Sequence, residues 1–382
     1  MSLRGSNKVT ALITLVSVAA SAACQEEDVQ ANEASAVQSA EGPHEIEITR
    51  NNPYFRPWPA GMKTALSWGD LPEGRNWGST SAVHVDLDGE SMWVFDRCGS
   101  NHSNCLEGLD LDPINKFDAS GKYLMGFGAG MFFTPHGLHV DEDGNIWATD
   151  SGGPNERTIA EVPAAAQLGH RVVKFSPEGE VLMVIGEGGQ AGDPPERLTA
   201  PTGTATAPNG DVFIAEGHSA GVDRVSKFSA DGTFIMSWGS TGSGPGEFIQ
   251  PHDIAMDSEG RVFVADRMNY RIQIFDQEGN YLDSWKQFGQ PSGLYISPDD
   301  ILYVADSHSW GDNPREDGLS YRKGIRIGSA STGEVYYYLP DLEAMTPNNS
   351  GPEGVGADHA GNVYGAIVRR LGVEKHTRAE PE

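Results

Sequence analysis

Positive charge is scarce in this 382-residue chain: 27 lysines and arginines stand against 54 acids, a formal net charge of −27. Phosphate-backbone binding is driven by Lys and Arg, so this balance excludes nucleic acid as a partner. Long apolar runs are missing too. The run 9–23 goes fifteen residues without a charge, below membrane-spanning length, and no other stretch is long and apolar enough to span a bilayer. Low-complexity tracts are few, and 38% apolar content is too much for a disordered chain. With 47 glycines and 23 prolines, the composition also excludes a helical bundle or coiled coil. A chain of this length supports one large all-β domain or two ordinary ones.

What is present begins with an address. Arg4 and Lys8 precede the apolar run, which ends Ser21-Ala22-Ala23-Cys24. A short basic segment followed by such a run reads as a secretory signal, 1–23, and the ending resembles a lipoprotein processing site with Cys24 as the lipidated residue. Residues 24–52 read as an acidic, solvated linker; from Gln25 to Thr49 there are seven acids and no Lys or Arg. The expectation is an exported monomer, in the periplasm or at the cell surface, touching membrane only through a lipid anchor. In an oxidising compartment Cys98 and Cys105, within one polar loop, would form a local disulfide; a metal would need two further ligands from elsewhere.

The rest of the chain repeats. Ser81 to Asp96 can be laid over His136 to Asp150, and the unit recurs at Thr202, His252, Ser292 and Glu353. Each copy is an apolar strand, a tight turn such as Asp143-Gly144 or Glu259-Gly260, and a second apolar strand; several continue through another glycine turn into a third and fourth. Four strands per unit and six units predict an all-β, six-bladed β-propeller over 53–376, with 377–382 as a tail. Thr64 to Trp68 is the candidate outer strand of the last blade, closing the ring. Trp147, Phe213, Phe263 and Tyr303 fall in the blade core. The insertions after Asp150 and Asp306 read as surface loops, the second able to overhang one mouth of the channel.

The first positions of the six units are Ser81, His136, Thr202, His252, Ser292 and Glu353. Alternate blades lie about 120° apart, so His136, His252 and Glu353, each preceded by Pro, converge on the channel axis. Two histidines and a carboxylate with open positions suit Zn²⁺ or Fe²⁺; structural histidines are the competing reading. The second strands end in acids on one rim: Asp96, Asp150, Glu216, Asp266 and Asp306. Arg97 and Arg267 beside them read either as forks for a carboxylate or as salt-bridge partners of Asp96 and Asp266. His218 is a candidate acid/base.

The segments 135–150 and 244–275 resemble NHL repeats, and the propeller as a whole resembles the peptidyl-α-hydroxyglycine α-amidating lyase family. That resemblance implies a six-bladed propeller with a channel zinc on three histidines, a structural calcium nearby, and arginine and tyrosine side chains at the reaction centre. By motif, His136 and His252 fall on two zinc ligands, and Arg97 and Arg267 on active-site arginines. Glu353 stands where the family has its third histidine, Gly354 where it has a calcium-binding Asp, and His218 where it has its tyrosine. The implied reaction cleaves the C–N bond of a C-terminal α-hydroxyglycine, so the implied partner is a small molecule or a peptide C-terminus. A metal-dependent lactone or ester hydrolase and a non-catalytic binding propeller are the competing classes.

Overall fold

The computed structural model describes residues 62–377 apart from 101–103, 219–220, 311–317 and 343–349. The signal segment, Cys24 and the acidic linker lie outside the described residues, as does the middle of the insertion after Asp306.

Six four-stranded antiparallel sheets make the ring. The first strand in the chain, β1 (Lys63–Trp68), belongs to the last blade. Blade 1 is β2 (Thr80–Val85), β3 (Met92–Asp96), β4 (Ile114–Phe117) and β5 (Tyr123–Phe127). Blade 2 is β6 (Pro135–Val140), β7 (Ile146–Asp150), β8 (Arg171–Phe175) and β9 (Val181–Ile185). Blade 3 is β10 (Pro201–Thr206), β11 (Val212–Glu216), β12 (Arg224–Phe228) and β13 (Phe234–Trp238). Blade 4 is β14 (Pro251–Met256), β15 (Val262–Asp266), β16 (Arg271–Phe275) and β17 (Tyr281–Trp285). Blade 5 is β18 (Gly293–Ile296), β19 (Ile301–Trp310), β20 (Arg322–Ser329) and β21 (Val335–Pro340). Blade 6 is β22 (Pro352–Ala357), β23 (Val363–Ile367) and β24 (Gly372–Thr377), completed by β1.

Closure follows the sequence expectation. Thr64 pairs with His376 and Trp68 with Val373. Trp68 is buried against Tyr364 of its own blade and Phe117 of blade 1, ring centroids 4.8 and 5.6 Å apart, which seals the first blade to the last. Burying one such aromatic is worth about 2–3 kcal/mol. Between other blades the same job falls to the second-strand aromatics: Trp147, Phe213 and Phe263 are wholly buried, and Tyr303 is half-buried against the core.

The repeated Asp and Gly have a local cause. Asp141 accepts the Asn145 N–H at 2.8 Å and, through its other oxygen, the Trp147 indole N–H at 3.0 Å. One carboxylate thus pins both the hairpin turn and the core aromatic of the next strand. Asp86 holds Trp93 and Asp358 holds Tyr364 in the same way.

Three features depart from the sequence reading. The insertion after Asp150 carries a short helix, α1 (Glu156–Glu161), capped by Asn155. The insertion after Asp306 lengthens β19 and β20, with Trp310 paired to Arg322 before the chain leaves the described residues. The acids ending the second strands are not an open rim. Asp96, Asp150, Glu216, Asp266 and Asp306 are fully buried clamps. Asp150 accepts the Phe133, Thr134 and Gly169 N–H groups, and Asp266 accepts that of Ile249. Each holds down the chain entering its own inner strand, so these charges are spent inside the fold. The loop cysteines, 98 and 105, form the expected disulfide.

Candidate metal centre

The three alternating residues meet. His136, His252 and Glu353 are each the second residue of an inner strand, β6, β14 and β22, and a fourth donor, His218, joins them. One ligand atom from each lies within 4.8 Å of all the others.

Their tautomers are set from behind. His136 donates Nδ1–H to the Thr202 carbonyl at 2.7 Å, and His252 donates Nδ1–H to the Ser292 carbonyl at 2.9 Å. Both Nε2 lone pairs therefore face the channel, the arrangement metal-ligating histidines use. Thr202 and Ser292 are the hydroxyl residues of the intervening blades, and they serve here through the main chain. The hydroxyls of Ser81 and Thr202 donate to the carbonyls of Pro135 and Pro251, tying blades 1 and 3 to the residue before the next ligand.

The convergence needs close backbone approach. A Cβ on Gly354 would stand 2.7 Å from the Ser81 carbonyl oxygen, so blade 6 can press against blade 1 only with glycine after Glu353. An aspartate has no room there. Gly217 plays a parallel part: a Cβ would meet Pro251 Cδ at 2.3 Å. The chain leaving β11 thereby crosses over the residue before His252 and carries His218 into the channel. The sequence reading gave His218 an acid/base role alone; its Nε2 lies 3.1 Å from His136 Nε2, inside the donor cluster. Glu216-Gly217-His218 was the available signal, since glycine after the strand end allows the turn inward.

The charge state suits a cation. Desolvation, then the neighbouring histidine and arginine charges, holds buried His136 and the partly exposed His218 well below the ordinary imidazole value, and burial with Arg267 brings His252 down to about 4. Burial alone would raise Glu353, but its close contact with His252, together with Arg267 and His136, outweighs it and keeps it ionised. Neutral imidazoles and an ionised carboxylate are the forms a metal takes up. His252 Nε2 sits 3.2 Å from Glu353 Oε1, yet it is buried without a hydrogen bond. An orphaned buried lone pair aimed at a carboxylate and two further imidazoles fits a divalent cation. The four donors can hold one.

Two arginines border the cluster. The competing salt bridges to their neighbouring acids are not formed, because Arg75 takes Asp96 at 3.0 Å and Arg271 takes Asp266 at 2.7 Å. Arg97 turns inward instead and donates Nε–H to the Pro135 carbonyl. Arg267 bonds Gln250 and stands 3.8 Å from Glu353 Oε1. Both guanidiniums thus border the donor cluster instead of pairing with the acids beside them.

Comparison with known proteins agrees with this architecture. A model of the NHL repeat matches residues 248–275. Over 161 residues the chain is 38% identical to peptidyl-glycine α-amidating monooxygenase B of Xenopus laevis, covering 40% of this chain and 16% of that protein. It is 31% identical over 218 residues to peptidyl-α-hydroxyglycine α-amidating lyase 2 of Drosophila melanogaster, covering 52% and 48%. It is 33% identical over 214 residues to human NHL repeat-containing protein 3, covering 55% of each. The chain therefore spans between a sixth and about half of the length of these relatives. Among solved structures, streptogramin B lyase superposes with a TM-score of 0.50 at 15% identity over 83% of this chain and 98% of that one, a likeness of fold alone. The chain is a six-bladed β-propeller with an NHL repeat at 248–275, similar over about half its length to proteins named peptidyl-α-hydroxyglycine α-amidating lyase.

Proposed function

We propose that the chain is an exported, metal-dependent lyase that breaks the C–N bond of a small α-hydroxy substrate bearing a carboxylate. The observation that carries this reading is the meeting of His136, His218, His252 and Glu353 within 4.8 Å, bordered by two arginines whose neighbouring acids are already taken. The relatives named as amidating lyases supply the reaction class.

In this reading the four donors hold zinc or iron. The bound cation supplies Lewis acidity toward the substrate hydroxyl. Arg97 and Arg267 receive the carboxylate as fixed positive forks, and their charge stabilises the anion as it redistributes. The O–H proton leaves, its electron pair becomes a C=O, the C–N pair departs with nitrogen, and nitrogen regains a proton. The products are an amide and glyoxylate.

Export and anchoring at Cys24 belong to the same proposal, supported by the leader-like segment before that residue and by a disulfide suited to an oxidising compartment. The test is turnover of N-benzoyl-α-hydroxyglycine by the purified, metal-loaded chain, with benzamide and glyoxylate quantified and a lactone and an aryl ester run alongside. Equal molar release of both products supports the lyase. Hydrolysis of the lactone or ester without glyoxylate release would replace it with a hydrolase.

A further inference from the structure

Blade 5 breaks a pattern that blades 1 and 3 keep. The Ser81 and Thr202 hydroxyls reach the prolyl carbonyl of the next blade, whereas the Ser292 hydroxyl lies 2.6 Å from Ser307 Oγ. Ser307 Oγ in turn lies 2.6 Å from His308 Nδ1. The main-chain carbonyl of the same Ser292 takes the Nδ1–H of His252. One residue therefore anchors a metal-site histidine through its carbonyl and a second imidazole through its hydroxyl. His308 follows Asp306 as His218 follows Glu216, but it lies within β19, which runs on to Trp310. It is exposed, and its Nε2 bonds no described residue.

We propose that His308 is the proton-transfer residue of the channel mouth, with Ser307 and Ser292 as the positioning pair that keeps its Nε2 lone pair free. The proposal rests on the lyase reading above. His218, the other imidazole at the mouth, is committed to the donor cluster. The charged groups facing His308 are Arg267 and Glu353 from the channel and Asp306 and Lys323 from its own blade. Partial desolvation of the ring, with Arg267 and Lys323, outweighs the two acids and holds His308 below the ordinary histidine value, neutral near pH 7. With Nδ1–H donated to Ser307, Nε2 takes the substrate's O–H proton. The oxygen's pair forms C=O, the C–N bond breaks with its pair on nitrogen, and the Nε2–H returns its proton to that nitrogen. Neither water nor an oxidant enters.

The test compares the metal-loaded wild type, His308→Gln and Ser307→Ala on N-benzoyl-α-hydroxyglycine, with metal content, melting temperature and ¹⁵N imidazole spectra measured on each. The expected result is at least a ~100-fold loss of kcat in His308→Gln, the scale of general acid–base catalysis. Metal content and melting temperature stay at wild-type values, and the acid limb of the pH profile disappears. Ser307→Ala lowers kcat at unchanged KM and mixes the His308 tautomers, which the wild-type spectrum shows as Nδ1–H; it decides the matter should the first variant not fold. An active wild type with His308→Gln within threefold of it and the acid limb retained would overturn the role of His308 alone. Loss of metal in His308→Gln would do the same, reassigning the residue to metal support. A wild type inert on this substrate would overturn the lyase reading and His308 with it.

Discussion

Replacing Glu216 by Gln removes one negative charge at a point where the fold and the site share a support. Glu216 is fully buried and accepts from Arg224 twice at 2.8 Å, from the Thr199 N–H at 2.7 Å and from the Ser226 hydroxyl at 2.6 Å. Glutamine keeps the shape but turns an amide donor toward one of these donors. Removing one partner of a buried ion pair costs about 3–5 kcal/mol. Asp193 also bonds Arg224, but from the surface, so it offsets part of the loss and a value of about 3 kcal/mol is expected. For a chain of this size that lowers the melting midpoint by roughly 4–5 °C. The same clamp holds the strand end carrying His218 and the chain entering β10, whose Thr202 carbonyl orients His136. Glu216→Gln should therefore weaken metal retention as well as stability. Thermal unfolding by circular dichroism, with metal titrated by a competing chelator, reads both. A midpoint within 1 °C of wild type, with unchanged metal affinity, would refute the clamp argument.

Two further outcomes follow from the fold. Cys98→Ser with Cys105→Ser should cost about 2 kcal/mol in a denaturant titration under oxidising conditions, because the bridge closes only a short loop, and no difference would contradict a structural role. His139, half-buried beside His84, is pushed down to about 3, first by burial and then by its neighbour. Its unfolded value is near 6.5, so between those limits the unfolded chain binds the extra proton and stability falls as pH falls. His139→Gln should flatten the decline in melting temperature between pH 6.5 and 4.5, and an unchanged slope would contradict this.

The ring, its closure and three of the four donors were legible in the sequence because each leaves a side-chain signal at a fixed place in the repeat. The turn Asp and Gly, the core aromatic and the residue after Pro recur often enough to be aligned within one chain. What escaped lies in the main chain or in competition between side chains. Nothing in the side chains of Thr202 and Ser292 announces that their carbonyls orient two imidazoles. Arg97 and Arg267 could not be freed from Asp96 and Asp266 on paper, because the rivals for those acids are Arg75, from before β2, and Arg271, across the β15–β16 hairpin, and sequence alone does not rank them. His218 looked like a loop residue beyond the strand. Gly217, needed for the close pass over Pro251, is what brings it in.

The metal centre itself is decided by stoichiometry. Mass spectrometry of the full chain should find about one zinc or iron per molecule, and His136→Ala, His252→Ala and Glu353→Ala should each lose it while keeping the β-propeller circular dichroism of the wild type. A wild type without bound metal, or metal retained after Glu353→Ala, would contradict a cation held jointly by alternating blades.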